Sequence, residues 1–239
     1  MSVLTVVRHG QASFLSEDYD RLSALGEQQA RLLGEYWLDR GVRFDRVVYG
    51  PRERQIRTGE IIGELYGKAG AGWPEPAVRE ELDEYPAEEV VRALLPGMMA
   101  ADARLAGWAR ELKHPADRLA QQRAFDRILR EVSRQWARGE AVVPGVPTWE
   151  EFCHGVETAV AQVRQECPRS GRAVMFTSGG PKSATVRVAL GLSYEATLEL
   201  TWSPKNCSVS EFLFSGERFS LHTFNATPHL DHPGLITYR

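Results

Sequence analysis

An arginine and a histidine stand side by side between an apolar run and a glycine in Val3-Leu4-Thr5-Val6-Val7-Arg8-His9-Gly10. An imidazole nitrogen can attack phosphorus. A neighbouring guanidinium can hold two phosphate oxygens, and its charge favours the neutral, nucleophilic ring. Arg52, Arg54 and Arg57 supply more cations further on, with Arg54 and Arg57 spaced to share a helical face. Cations at a helix start oppose its dipole, so a nearby anion would relieve them. Glu80, Glu81, Asp83 and Glu84 surround Leu82, and one carboxyl turned toward a phosphate could protonate a leaving oxygen if its pKa were raised. Finally, Thr177-Ser178-Gly179-Gly180-Pro181 is a glycine turn ahead of a helical pattern, where free amides and the helix dipole favour an anion. Each stretch also has a plainer reading: a solvated strand end, a basic surface paired with Glu53 and Glu60, a solvated acidic run, a tight turn.

These residues need elements to hold them. Val3–Val7 reads as a buried parallel strand, and in open α/β sheets ligands bind beyond the carboxyl ends of strands, where Arg8 and His9 fall. The polar residues after Gly10, through Asp20, read as a loop over that end. Ser23 then caps a helix carrying Ala30, Leu33, Trp37 and Leu38 at helical spacing. Arg46–Tyr49 is a second strand, and a helix follows with Pro51 in its first turn and Ile56, Ile61 and Leu65 inward; this β-α-β order implies parallel strands. Lys68–Pro76 is a loop. From Glu88 to Arg138 helical periodicity dominates, with interruptions expected at Pro96-Gly97 and His114-Pro115 and an apolar stripe of Leu119, Phe125, Ile128, Leu129, Val132 and Trp136. Thr148 and Glu151 form a capping box for the next helix, and Arg172–Thr177 is the strand before the glycine turn. Leu198–Trp202, Ser208–Phe214 and Phe219–Phe224 are expected as strands, some antiparallel at a sheet edge.

The chain has 239 residues, 43% hydrophobic and 26% charged, which suits one globular domain with an insertion. Its 29 basic against 32 acidic residues give a net charge of −3, which argues against general nucleic-acid binding. Cys153, Cys167 and Cys207 form neither a CxxC pair nor a disulfide framework, which fits a reducing cytosol. No stretch reaches the roughly 20 apolar residues of a membrane helix, and no signal segment precedes Val3, so a cytoplasmic protein is expected. His154 lacks a second ligand at metal spacing and reads as an ordinary helical residue. His222, His229 and His232 read as surface histidines, and Trp108, Trp136 and Trp149 as core rather than leaving-group contacts.

In order and spacing, the stretches from Val3 through His229 resemble the histidine phosphatase superfamily, the phosphoglycerate-mutase-like fold. Thr5-Val6-Val7-Arg8-His9-Gly10 is similar to its strand and Arg-His-Gly signature, and Leu22-Ser23-Ala24-Leu25-Gly26 through Ala30 to its Leu-Thr-x-x-Gly-x-x-Gln-Ala. Tyr49-Gly50-Pro51-Arg52-Glu53-Arg54-Gln55-Ile56-Arg57-Thr58-Gly59 resembles its Ser-Ser-x-x-x-Arg-Ala-x-Gln-Thr-Ala, and Leu82-Asp83-Glu84 its Leu-x-Glu. The resemblance implies an α/β fold, a three-layer α/β/α sandwich whose central sheet is mostly parallel with an antiparallel edge. It also implies one domain over 1–239 with a helical cap insertion at about 86–147. The implied chemistry is phosphomonoester hydrolysis: His9 forms a phosphohistidine, Arg8 and Arg54 hold the phosphate with Ser178 and Gly179, and Glu84 donates the proton. The arginines would supply the charge, so no metal or cofactor is expected. The substrate would be a phosphorylated small molecule or phosphoprotein, without nucleic-acid or membrane partners; oligomeric state is open.

One departure stands out. The superfamily pattern Ser-His-Gly-Gly is here Thr177-Ser178-Gly179-Gly180, so a serine replaces the second histidine. Losing one preorganised donor commonly costs about 3–4 kcal/mol in the transition state. Lys182 or His229 could restore the charge, and Arg57, where the pattern has glutamine, adds a cation on the Arg54 face. The alternative to a phosphatase is therefore a weak or inactive member that binds phosphorylated ligands or partners. A phosphoglycerate mutase fits less well, since Gln11-Ala12-Ser13-Phe14 replaces the Glu-Ser-x-Trp-Asn that typically follows the signature.

Overall fold

The computed structural model describes residues 1–13 and 20–238. Strands β1 (Ser2–Arg8), β2 (Arg46–Tyr49), β3 (Ala77–Val78), β4 (Arg172–Thr177), β5 (Val209–Ser215) and β6 (Arg218–Ala226) form one sheet in the order β3-β2-β4-β1-β5-β6. β4 runs parallel to both β1 and β2, with Val7 opposite Phe176 and Arg8 opposite Thr177, while β5 and β6 add an antiparallel edge. The parallel register brings the ends of β1 and β4 together, and the His9 amide donates to the Thr177 carbonyl at 2.8 Å.

Alternation along the strands builds the layers. Val7, Val47, Tyr49, Val174 and Phe176 meet Ala30, Leu33 and Trp37 of α1 (Ala24–Asp39) and Ile61, Ile62 and Tyr66 of α2 (Glu53–Lys68). Leu4, Val6, Val48, Ala173 and Met175 face the other way. They share a core with α3 (Ala87–Ala101), α4 (Ala103–Lys113), α5 (Arg118–Ala137), α6 (Trp149–Glu166) and α7 (Gly179–Leu190). The fold is thus the expected α/β/α sandwich with a mostly parallel sheet and an antiparallel edge. Ser23 caps α1 by accepting from the Gly26 amide, and Thr148 with Glu151 forms the capping box of α6. Trp136 and Trp149 are buried in the core.

Four expectations need correction. Residues 198–202 are not a strand: α8 (Tyr194–Leu200) runs there, started by Ser193, whose hydroxyl accepts from the Ala196 amide, with Glu195 favourable in its first turn. α3 continues through Pro96 and stops at Asp102, where the backbone turns extended and Asp102 caps α4. Pro51 lies just before α2, whose cap is Arg52. Leu119 of the expected apolar stripe is exposed, and Ala124 is buried on that face instead. The expected loop over the strand end falls largely on residues 14–19, outside the described residues. No helix among the described residues is long and apolar enough to cross a membrane.

Candidate active site

At the end of β1, His9 is buried, with its Nδ1 2.7 Å from the Gly10 carbonyl oxygen. A carbonyl only accepts, so Nδ1 carries the proton and Nε2 keeps its lone pair. Arg54 Nε donates to that Nε2 at 3.2 Å. Burial first, then the Arg54 and Arg8 charges, hold the His9 pKa well below the ordinary imidazole range, outweighing the Gly10 bond that raises it. The ring is therefore neutral at physiological pH, with the nitrogen a nucleophile needs turned to the cations.

Arg54 is itself buried in the first turn of α2, where Nη1 donates to Asp20 Oδ1 at 2.6 Å. The other Asp20 oxygen accepts from the Glu53 amide at 2.9 Å, so one carboxylate both orients the arginine and caps the helix that carries it. Thr58 ties the next turn of α2 to the loop after His9, donating to the Arg54 carbonyl at 2.7 Å and accepting from the Gly10 amide at 3.1 Å. Half-buried Arg8 points Nη1 at the Pro204 and Tyr238 carbonyls.

Glu84 completes the cluster from the far side. Its Oε1 accepts from the Tyr85 amide at 3.1 Å and from the Gly180 amide, in the first turn of α7, at 3.0 Å. A Cβ on Gly180 would lie 2.2 Å from that oxygen, so only glycine lets the carboxyl dock on the helix. Burial raises the Glu84 pKa, opposed by Arg54 and Arg8 and by these two amides. The same two guanidiniums therefore act on both His9 and Glu84. Glu80 and Glu81 are exposed on a 3-10 turn (Glu80–Leu82), so of these three glutamates it is Glu84 that turns inward.

The sequence model of the histidine phosphatase superfamily (branch 1) matches residues 4–114 and 115–227. The chain belongs to that superfamily. A search of curated proteins finds no match. Among solved structures, a mycobacterial glucosyl-3-phosphoglycerate phosphatase with VO3 is similar at 19% identity and a TM-score of 0.62, over 95% of this chain and 100% of that one. A phosphoserine phosphatase mutant from Entamoeba histolytica in complex with phosphoserine gives 16% and 0.59, over 96% and 100%. A phosphoglycerate mutase from Bacillus anthracis gives 15% and 0.62, over 96% and 95%. At such identities the likeness speaks for the fold.

Against the histidine phosphatase pattern, the remaining candidates separate. Ser178 is fully buried at the start of α7, and its hydroxyl accepts from Gln55 Nε2 at 2.7 Å. The position of a Cβ on adjacent Gly179 would be 3.8 Å from Glu84 Oε2 and 3.9 Å from Arg8 Nε, which puts that turn against both groups. Arg57, three residues along α2 from Arg54, pairs with Glu64 at 2.7 Å and Glu60 at 3.4 Å on its own helix. Lys182 is fully buried and spends its Nζ on the Ser208 carbonyl and hydroxyl, at 2.6 and 2.8 Å. His229 is buried rather than on the surface, and neither ring nitrogen has a hydrogen-bond partner among the described residues. Sequence reasoning did not single out Asp20, Gln55 or Thr58. Each acts through a partner distant in the chain, and a lone aspartate or glutamine carries no local signal of that.

Proposed function

We propose that this chain hydrolyses phosphomonoesters through a phosphohistidine on His9. The observation that carries the reading is the pairing of a neutral His9, protonated at Nδ1, with a Glu84 of raised pKa under the same two guanidiniums. His9 Nε2 attacks phosphorus and the bond to the leaving oxygen breaks. Arg8 and Arg54 balance the charge on the phosphoryl oxygens, with Ser178 and Gly179 at the start of α7 as further phosphate-binding groups. Glu84 gives its proton to the leaving oxygen. It then takes one from the water that attacks the phosphohistidine, releasing inorganic phosphate and restoring His9. Residues 86–147 act as the cap that shapes the mouth of the site. Substrates are phosphorylated small molecules or phosphoproteins; phosphoserine, glucosyl-3-phosphoglycerate and phosphoglycerates come first, since solved structures of similar fold are named for such compounds.

The test is hydrolysis of an aryl phosphate across pH 4–8 beside a His9→Ala control. A lowered His9 pKa keeps the nucleophile neutral as the pH falls, so activity persists below the ordinary imidazole range. A raised Glu84 pKa keeps the donor protonated further up, so hydrolysis of an alkyl phosphate, whose leaving oxygen needs that proton, declines as the pH passes it. A second reading, a weak or inactive member that binds phosphorylated ligands, is favoured by Ser178, which cannot supply an imidazolium charge. It prevails if wild type and control are equally inactive while phosphate binds. Positional transfer on 3-phosphoglycerate without phosphate release would instead mark a mutase.

A further inference from the structure

Gln55 follows Arg54 on α2 and is fully buried. Its amide is spent on three segments that carry the site. Oε1 accepts from the Arg52 amide at 3.1 Å, at the start of α2. Nε2 donates to the Leu82 carbonyl at 3.2 Å, two residues before Glu84, and to Ser178 Oγ at 2.7 Å, at the start of α7. The Leu82 carbonyl also accepts from Thr177 Oγ1 at 2.7 Å. Room for Gln55 comes from Gly50, where a Cβ would sit 2.2 Å from Gln55 Oε1. Gln55 and Ser178 replace the alanine and the histidine of the superfamily pattern, so two departures from that pattern touch each other.

We infer that Gln55 is a positioning residue for the Glu84 proton donor. It holds both ends of that residue's setting: the backbone, through the Leu82 carbonyl, and the carboxyl, through Ser178 at the start of the helix whose Gly180 amide binds Oε1. Because the brace is neutral and its polar atoms are satisfied, it adds no charge to a pocket that must admit a phosphate. The Ser178 substitution is then half of a coupled replacement rather than a simple loss. This inference rests on the phosphatase reading above and assigns a residue within it.

Leaving-group chemistry separates this role from plain structural support. The phenoxide of an aryl phosphate departs without a proton, whereas the alkoxide of an alkyl phosphate needs one. We expect Gln55→Leu to lower kcat/KM for an alkyl phosphate by about a hundredfold and for an aryl phosphate by less than about fivefold. In Gln55→Glu the carboxylate cannot donate to Leu82 or Ser178, so the alkyl-to-aryl ratio at pH 8 should fall below that of wild type at the same pH. It should recover toward the wild-type ratio at pH 5, where the protonated acid regains one donor. A merely structural role lowers both substrates by one factor; that result in both variants, or no change in either, overturns the inference, and Gln55→Glu decides alone if Gln55→Leu does not fold. Wild type no faster than His9→Ala would instead overturn the phosphatase reading, and this inference with it.

Discussion

His9 and His229 are both buried, 5% and 6% exposed, and burial holds both below the ordinary imidazole range. Around His9 every neighbour is committed: Gly10 fixes the tautomer, Arg54 meets the free nitrogen, Asp20 holds Arg54, and Glu84 sits under the same guanidiniums. Around His229 there is the Tyr36 ring, 6.3 Å away between centroids, and the charge of Lys182, itself spent on Ser208. Burial and a shifted pKa are therefore not what sets His9 apart from His229. The difference lies in whether groups of complementary role converge on a defined nitrogen.

The largest effect expected from this contrast is at His9. His9→Ala should abolish phosphate release from an aryl phosphate, a loss of at least about 10⁴-fold, whereas His229→Leu should leave the rate within about threefold. Equal losses at the two positions would dissolve the contrast. Arg54→Lys comes next. It keeps the charge but gives up the Nε–H aimed at His9 and the geometry of the Asp20 bond, so kcat/KM should drop about 10²–10³-fold, read with the same substrate. A drop under tenfold would mean that charge alone suffices and that the directed contact with His9 is incidental.

Much of the Arg8–His9–Arg54–Glu84 group was legible because each member sits at an element end with a local signature. An apolar strand stops at Arg8, an arginine-bearing helix starts at Glu53 with Arg54 in its first turn, and a short acidic run frames Glu84. Local signals of the same kind located the caps at Ser23 and Thr148. What was not legible depends on tertiary pairing: the Asp20 bond to Arg54 spans 34 residues and the Gln55 bond to Ser178 spans 123. Residues 198–202 misled for a related reason. Leu198-Glu199-Leu200-Thr201-Trp202 alternates like a strand, but the cap at Ser193 starts a helix that runs into it. Arg57 has the spacing to join Arg54, yet it pairs with Glu60 and Glu64 on its own helix.

Stability gives a third measurement. His229 is held at about 4, against 6.5 when solvated. As pH falls from 6.5 toward 4 the unfolded chain takes up a proton that folded His229 refuses, so stability is lost across that window, by about 3 kcal/mol in all. Chemical denaturation of wild type and His229→Leu at pH 7 and pH 4.5 should show a gentler acid loss in the variant. An unchanged slope would indicate that His229 opens to solvent and that the two histidines are less alike than their burial suggests.

The smallest effect, at Lys182, decides whether the Lys182–His229 region feeds the site at all. Burial first, then Arg8, pushes this amine well below the ordinary lysine range. At pH 7 the unfolded chain therefore gains a protonation that the folded interior disfavours, a cost that disappears only above the solvated lysine pKa. Lys182→Met has similar volume and strands nothing: the Ser208 carbonyl still accepts from the Arg8 amide, and the Ser208 hydroxyl still donates to the Lys205 carbonyl. The variant should be as stable as wild type or more so at pH 7, by about 1–2 kcal/mol, with the gain vanishing toward pH 11 and phosphate release within about threefold. A loss of a hundredfold without a loss of stability would show that the Lys182 charge reaches the phosphoryl group through Arg8. It would then do the work of the imidazolium that Ser178 cannot do, and the boundary drawn between the two regions would have to move to include α7 as far as Lys182.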